Sequence, residues 1–197
     1  MDAVIIDSGG ANLASLQFAF ERLGAKTHVS ADPAEISSAA RVILPGVGSA
    51  ADAMSRLRKN GVAHLLPSLT QPVLGICLGM QLLFERSEEG NTDCLGILPG
   101  EVKRLQPAQG RPVPHMGWNQ LAPVRGDPIL EGIAADDYVY FVHSFAVPVT
   151  DLTIASADYG ICLSAIVRRG NFWGTQFHPE RSAETGARVL ANFLRLS

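Results

Sequence analysis

The stretch Pro72-Val73-Leu74-Gly75-Ile76-Cys77-Leu78-Gly79-Met80-Gln81-Leu82-Leu83-Phe84 constrains the fold more than any other. It opens as an apolar run of the length a buried strand needs, passes through Gly-x-Cys-x-Gly, and continues in a helical pattern through Phe84. That is the layout of a nucleophile elbow with sulfur in the serine position. Such a turn presents its side chain at the carboxyl end of the sheet, where open α/β folds carry their sites. Gly75 and Gly79 remove side chains where strand and helix must approach closely. Cys77 also falls at a helix N-terminus, where free N–H groups and the helix dipole favour the reactive thiolate. Free cysteines are more often inert core residues; the flanking glycines and the strand-to-helix switch mark this one as a nucleophile.

The preceding residues predict strands alternating with helices. Ala3 to Asp7, Thr27 to Val29, Arg41 to Pro45 and Val73 to Ile76 read as strands. Between them, Leu13, Leu16, Phe20 and Leu23 recur at helical spacing up to Gly24, with Asn12 as the expected cap. Asp32 caps a short helix starting at Pro33, and Ala51 to Lys59 and Val62 to Leu69 are helical. This alternation predicts a parallel doubly wound sheet, a flavodoxin-like α/β arrangement. After Glu85 the pattern changes to short strands: Glu101 to Leu105, Trp118 to Val124, Val139 to Val142, Thr153 to Ser156, Leu163 to Arg168 and Phe172 to Phe177. They are expected to add antiparallel strands to a mostly parallel core. Arg169-Gly170-Asn171 supplies a turn between the last two. Glu184 to Leu196 closes as a helix with Ser182 as cap and Val189, Leu190, Phe193 and Leu194 on its apolar face. With no linker or repeat, residues 1–197 are expected to form one domain.

A net charge of −3 on 197 residues gives no basis for a nucleic-acid or anionic-membrane partner. No apolar run reaches the ~20 residues of a membrane-spanning helix, and the N-terminus lacks signal-peptide features. Three widely spaced cysteines, Cys77, Cys94 and Cys162, fit neither a disulfide framework nor metal-ligand spacing. A cytoplasmic protein without metal or cofactor is expected.

A cysteine nucleophile requires a base, and the base an orienting group. Of His28, His64, His115, His143 and His178, the last stands out. It follows a predicted strand and leads into Pro179-Glu180. Residues two apart in extended chain face the same way, so Glu180 can accept the ring N–H of His178 and hold its tautomer. An oxyanion hole is the third requirement. The N–H of Leu78 is one expected donor; the loop Gly46-Val47-Gly48 after the third strand, through Val47 and Gly48, is the other.

Gly75-Ile76-Cys77-Leu78-Gly79-Met80-Gln81, Pro45-Gly46-Val47-Gly48 and His178-Pro179-Glu180 together resemble the class I (triad) glutamine amidotransferases. Val113-Pro114-His115-Met116-Gly117-Trp118-Asn119, Tyr140-Phe141-Val142-His143-Ser144-Phe145 and the opening Asp7 to Leu13 resemble one branch, the glutaminase subunits of imidazole glycerol phosphate synthase. In the opening, Ser8 replaces a common aromatic and Ala11 a common glycine. The resemblance implies the class I amidotransferase fold. It implies that Cys77 attacks the side-chain amide of L-glutamine to form a thioester, that His178 takes the thiol proton and protonates departing ammonia, and that water releases glutamate. It implies that Gln81 and Glu89 hold the glutamine amino group and that the backbone at His143 and Ser144 lines the pocket. Without the resemblance, Glu85 to Glu89 reads as a solvated acidic patch.

The chain has no Walker loop or Rossmann fingerprint for an acceptor substrate, so the acceptor site belongs to another chain. The resemblance implies a heterodimer with the (βα)8-barrel cyclase subunit, which takes ammonia and yields imidazole glycerol phosphate and aminoimidazole carboxamide ribonucleotide in histidine biosynthesis. Asn12, Met116, Trp118, Tyr140 and Arg181 are the expected interface residues, since Trp, Tyr and Arg dominate hot spots. Gly46-Val47-Gly48 is expected to rotate a peptide to complete the oxyanion hole. The alternatives are a subunit of anthranilate or aminodeoxychorismate synthase, a stand-alone γ-glutamyl hydrolase, and an inactive binding module.

Overall fold

A computed structural model describes residues 2–8 and 13–197. The cap and interface roles expected of Asn12 lie outside these residues. The chain order is β1 (Ala3–Ile6), α1 (Leu13–Arg22), β2 (Thr27–Ser30), α2 (Pro33–Ser38), β3 (Val42–Gly46), α3 (Ala50–Lys59), α4 (Val62–Leu65), β4 (Val73–Cys77) and α5 (Leu78–Leu82). There follow β5 (Phe84–Ser87), β6 (Thr92–Asp93), β7 (Leu98–Arg104), β8 (His115–Gln120), β9 (Ala122–Pro123), β10 (Tyr138–His143) and β11 (Phe145–Ala146). The chain ends with β12 (Thr153–Asp158), β13 (Cys162–Arg169), β14 (Phe172–Thr175) and α6 (Ala183–Arg195).

The main sheet runs β2-β1-β3-β4-β14-β13-β12-β9. Its first five strands are parallel; β13, β12 and β9 continue it antiparallel. Strands buried on both faces need apolar residues at every position, and all four residues of β1 are buried. Alternation divides them between two cores. Ala3 and Ile5 pack with Leu16 and Phe20 of α1 and Val189, Leu190 and Phe193 of α6. Val4 and Ile6 pack with Ile36 of α2, Met54 and Leu57 of α3 and Val62 of α4. Helices thus cover both faces, as expected. Among the described residues no helix is long and apolar enough to cross a membrane.

Local signals explain several boundaries. Asp32 accepts the Ala34 N–H at 2.8 Å and caps α2. Gly24, at φ 77°, ends α1 in the left-handed conformation that glycine adopts without a Cβ penalty. β13 and β14 form a hairpin around Gly170-Asn171, pairing Arg169 with Phe172. That hairpin inserts β14 beside β4, with Thr175 opposite Ile76. The residues following β14 are thereby delivered next to the elbow.

Four local expectations need correction. The helix after Cys77 does not continue through Phe84; it ends at Leu82, and Phe84 starts β5, opposite Leu98 of β7. Leu82, Leu83 and Phe84 are all fully buried, so the apolar run carries no period and tertiary pairing decides its conformation. The segment Glu101 to Leu105 is antiparallel on only one side: β7 pairs antiparallel with β11 and parallel with β5. Trp118 to Val124 is not one strand but two. β8 pairs with β10, whereas β9 pairs with β12 at the edge of the main sheet; Pro123 lacks an N–H and suits an edge. Ser182 occupies the N-cap position of α6 but makes no side-chain cap bond. Its hydroxyl instead donates to the His178 carbonyl at 2.7 Å and accepts the Tyr140 N–H at 2.9 Å.

Candidate active site

Cys77 ends β4 and precedes the first residue of α5, with φ 54° and ψ −111°. A non-glycine residue in that region is strained, by roughly 1–3 kcal/mol, and persists only where its surroundings enforce it. The surroundings are glycines at van der Waals limits. A Cβ on Gly75 would meet the Gly79 carbonyl oxygen at 2.7 Å, one on Gly46 the Gly79 nitrogen at 2.8 Å, and one on Gly79 the Leu44 carbonyl oxygen at 1.8 Å. These close approaches turn the chain sharply at Cys77. Since α5 is only five residues long, its macrodipole is small, and electrostatic support for sulfur falls chiefly to a neighbouring side chain.

That side chain is His178, which follows β14 as the hairpin geometry requires. Its Nδ1 lies 2.8 Å from Glu180 Oε1, and it lines the same cavity as Cys77, whose thiol is directed at the Val142 carbonyl, 3.8 Å from Sγ. Burial works against its charged form, but the interactions with Cys77 and Glu180 outweigh burial and lift its pKa from 6.5 to about 10. Glu180 and His178 are both nearly inaccessible, at 10% and 11% side-chain exposure, so their attraction is weakly screened. The arrangement favours the protonated imidazole beside the sulfur. His28 is exposed and paired with Glu35 at 3.1 Å, and His64 is exposed; neither offers a rival base.

Cys77 and His178 open into a cavity of about 300 Å³. Gly46, Val47 and Gly48 form one wall, and Leu78, Gln81, Glu89, His143 and Ser144 also line it. The oxyanion and glutamine-pocket residues expected from the sequence are therefore brought together. Leu78 begins α5, so its N–H has no partner within the helix. Gly48 has φ 87° and open space where a Cβ would be.

The polarity of the pocket is specific. The Gln81 amide donates to the Phe145 carbonyl at 2.8 Å and to Gln176 Oε1 at 3.0 Å. Both its N–H groups are thus committed, leaving an acceptor oxygen to meet a ligand. Glu89 is held by the Ala50 N–H, 2.7 Å from its Oε2. Glu85 and Glu88 are exposed, as a solvated patch would be, and each also accepts a backbone N–H, from Gly100 and Arg104; Glu89 departs from that reading, since it is half-buried and lines the cavity. An anionic carboxylate and a fixed amide oxygen suit a ligand ammonium, while N–H groups near sulfur suit a developing oxyanion.

The model of the family "Glutamine amidotransferase class-I" matches residues 4–196. The chain belongs to the class I glutamine amidotransferase family. It is 55% identical over 196 residues to the imidazole glycerol phosphate synthase subunit HisH of Xanthomonas euvesicatoria pv. vesicatoria (strain 85-10), covering 100% of this chain and 98% of that protein. It is 54% identical over 195 residues to the subunit of the same name in Xylella fastidiosa (strain Temecula1 / ATCC 700964), covering 99% and 98%. Among solved structures, a glutamine amidotransferase matches with a TM-score of 0.77 at 18% identity over 98% of this chain and 97% of that one. PurLQS from Thermotoga maritima matches with a TM-score of 0.72 at 19% identity over 98% and 96%. At these identities the likeness is one of fold, and that fold is the class I amidotransferase fold expected from the sequence.

This amidotransferase also contains residues around the site to which its sequence assigned no role. Gln176 lies between Gln81 and Cys77, its Nε2 3.9 Å from Cys77 Sγ. His115 is buried and contacts His143, with Nδ1 3.0 Å from His143 Nε2. Ser8, the departure in the opening motif, is buried and donates to the Pro45 carbonyl at 2.9 Å, bracing the start of the Gly46–Gly48 loop. Ala11 lies outside the described residues. Strand alternation carried the signal for His115, since Met116 and Trp118 beside it have the outward side chains of β8.

Proposed function

We infer that this chain is the glutaminase subunit of an imidazole glycerol phosphate synthase, acting in histidine biosynthesis. The observation that carries the reading is His178, bound to Glu180 and sharing with Cys77 a cavity whose other groups suit a zwitterionic amino acid. The relatives named as HisH subunits support the branch.

In this reading Gln81 and Glu89 hold the ammonium of glutamine, and backbone at His143 and Ser144 orients the ligand. The sulfur of Cys77 attacks the carboxamide carbon. The oxyanion is received by the Leu78 N–H and the Val47–Gly48 peptide, whose rotation completes the hole. The proton on His178 goes to the leaving nitrogen, and ammonia departs as the thioester forms. Water, deprotonated by the same imidazole, then attacks the thioester and releases glutamate. Glu180 holds the imidazole tautomer and stabilises its charge.

Ammonia passes to a (βα)8-barrel cyclase on a second chain, forming a heterodimer in the cytoplasm in which residues 1–197 act as one domain. The proposed docking surface centres on Tyr140. Trp118 meets it edge-on at 5.9 Å between ring centroids, and the Arg181 guanidinium stacks over it at 4.5 Å. Met116 and Trp118 are 65% and 52% exposed, a large apolar display of the sort that marks an interaction surface. Arg181 lies one residue from Glu180, so a partner binding here contacts the catalytic segment.

The test is glutamine hydrolysis by the chain alone, with the cyclase, and with cyclase plus its nucleotide substrate. Low activity alone and a large increase with both is the expected result. High activity alone, unchanged by the cyclase, would point to an independent hydrolase. Activation by an anthranilate or aminodeoxychorismate synthase partner instead would reassign the pathway.

A further inference from the structure

We propose that His115 is a positioning residue that fixes the glutamine pocket through a directional hydrogen-bond chain from β8 to the nucleophile. The proposal rests on the glutaminase reading for its kinetic consequence and on geometry alone for the chain itself.

β8 and β10 are paired so that His115 lies opposite His143. The His115 ring is packed against Phe141 and Tyr159, at centroid distances of 4.7 and 3.9 Å. Its Nδ1 meets His143 Nε2 at 3.0 Å, and His143 Nδ1 meets the Phe145 carbonyl at 2.8 Å. The same carbonyl accepts from Gln81, which also donates to Gln176, whose own amide faces Cys77. At the other end, Asn119 Nδ2 lies 3.4 Å from His115 Nε2.

The donor direction is determined along the chain. A carbonyl only accepts, so His143 carries its proton on Nδ1. With the ring neutral, Nε2 is then an acceptor, and His115 must donate from Nδ1. His115 Nε2 is left as an acceptor for Asn119. The orientation of Asn119 is set independently, because its Oδ1 accepts the Gln120 N–H at 2.8 Å and its Nδ2 donates to the Asp158 carbonyl at 2.8 Å. Burial favours neutral imidazoles at both positions, lowering the His115 pKa to about 4 and that of His143 to about 3. The Phe145 carbonyl consequently receives two fixed donors. Their geometry sets where the remaining acceptor of Gln81 points and hence how the substrate ammonium is held.

The experiment has two readouts. The first is the ¹⁵N imidazole spectrum of the uniformly labelled chain. Two non-titrating neutral histidines protonated at Nδ1 are expected between pH 5 and 8, and the His143 signal moves in His115→Phe, which preserves ring stacking but removes both nitrogens. The second is glutamine hydrolysis by His115→Phe, alone and with the synthase partner. Loss of one buried hydrogen bond on the ammonium-holding side should raise KM for glutamine on the order of tenfold, with a smaller change in kcat. Asn119→Leu, which removes the outer donor to His115 together with the Asp158 and Gln120 bonds but leaves the His115–His143 bond in place, should raise KM less.

Nε2-protonated imidazoles at these positions, or an unchanged KM in a folded His115→Phe, would overturn the proposal. If His115→Phe does not fold, the wild-type spectrum and Asn119→Leu decide. A wild-type chain inactive on glutamine under every condition would defeat the glutaminase reading, while the tautomer measurement would still judge the hydrogen-bond chain.

Discussion

Gly79 packs against Leu44 so tightly that a methyl group on its Cα would lie 1.8 Å from the Leu44 carbonyl oxygen. The obstacle is backbone of the adjacent strand β3, which cannot move aside as a flexible side chain can. Gly79→Ala is expected to destabilise the fold by at least about 3 kcal/mol, the upper range of overpacking penalties, and to misalign Cys77. Urea denaturation measures the loss. Gly48→Ala, with open space but φ 87°, should cost only about 1–2 kcal/mol, the usual left-handed penalty for a residue with a Cβ. Equal stability of the two variants would refute the packing account of the elbow.

The strain at Cys77 makes a second prediction, of opposite sign for stability and activity. Glycine adopts φ 54° without penalty. Cys77→Gly should therefore unfold at or above the wild-type temperature, by up to about 1 kcal/mol of added stability after the lost contacts of sulfur are subtracted. Glutamine hydrolysis should vanish. A large drop in thermal stability would show that the conformation is supported by the cysteine itself rather than imposed on it.

Glu180→Gln tests the charge relationship with His178. The His178 pKa is raised from 6.5 to about 10, so its stabilising contribution is complete below about pH 6.5 and is lost as pH rises through about 10. Removing the Glu180 charge lowers the folded pKa and reduces the loss of stability across that window. Glutaminase kcat should fall on the order of a hundredfold or more, as for orienting residues of other triads. Denaturation midpoints measured from pH 6 to 10 for both proteins provide the check. Parallel curves would mean that Glu180 does not bias the proton on His178.

Much of this site was legible because local chemistry dictates it. Gly75, Cys77 and Gly79 announce a turn that few other residues could make, and β1, β3 and β4 are apolar throughout because a parallel sheet buries both faces. His178 and Glu180 were readable as a pair because extended residues two apart share a side. The Phe84 strand was not readable, since uniform burial erases periodicity. Nor was the role of Ser182, whose hydroxyl bonds across 42 residues to Tyr140 instead of capping its own helix. The His115–His143 contact depends on the register of two strands that brings together residues 28 apart in the chain, which no local pattern specifies.

Trp118 is an exposed member of the aromatic and cationic cluster formed with Tyr140 and Arg181. It is about half exposed and does not line the cavity around Cys77, so truncation should spare catalysis by the free chain. If the cluster is the proposed docking surface, Trp118→Ala removes a large apolar contact and an edge-on support for Tyr140. Association with the cyclase should weaken by about 2 kcal/mol, roughly thirtyfold in Kd, the scale of an aromatic hot spot. Titration calorimetry with the purified cyclase measures it. Arg181→Ala should also weaken binding, but with an added effect on partner-stimulated turnover, because Arg181 adjoins Glu180 in sequence and stacks on the Tyr140 ring. Undiminished affinity in both variants would place the docking surface elsewhere, whereas loss of affinity without loss of basal hydrolysis in Trp118→Ala would separate docking from chemistry.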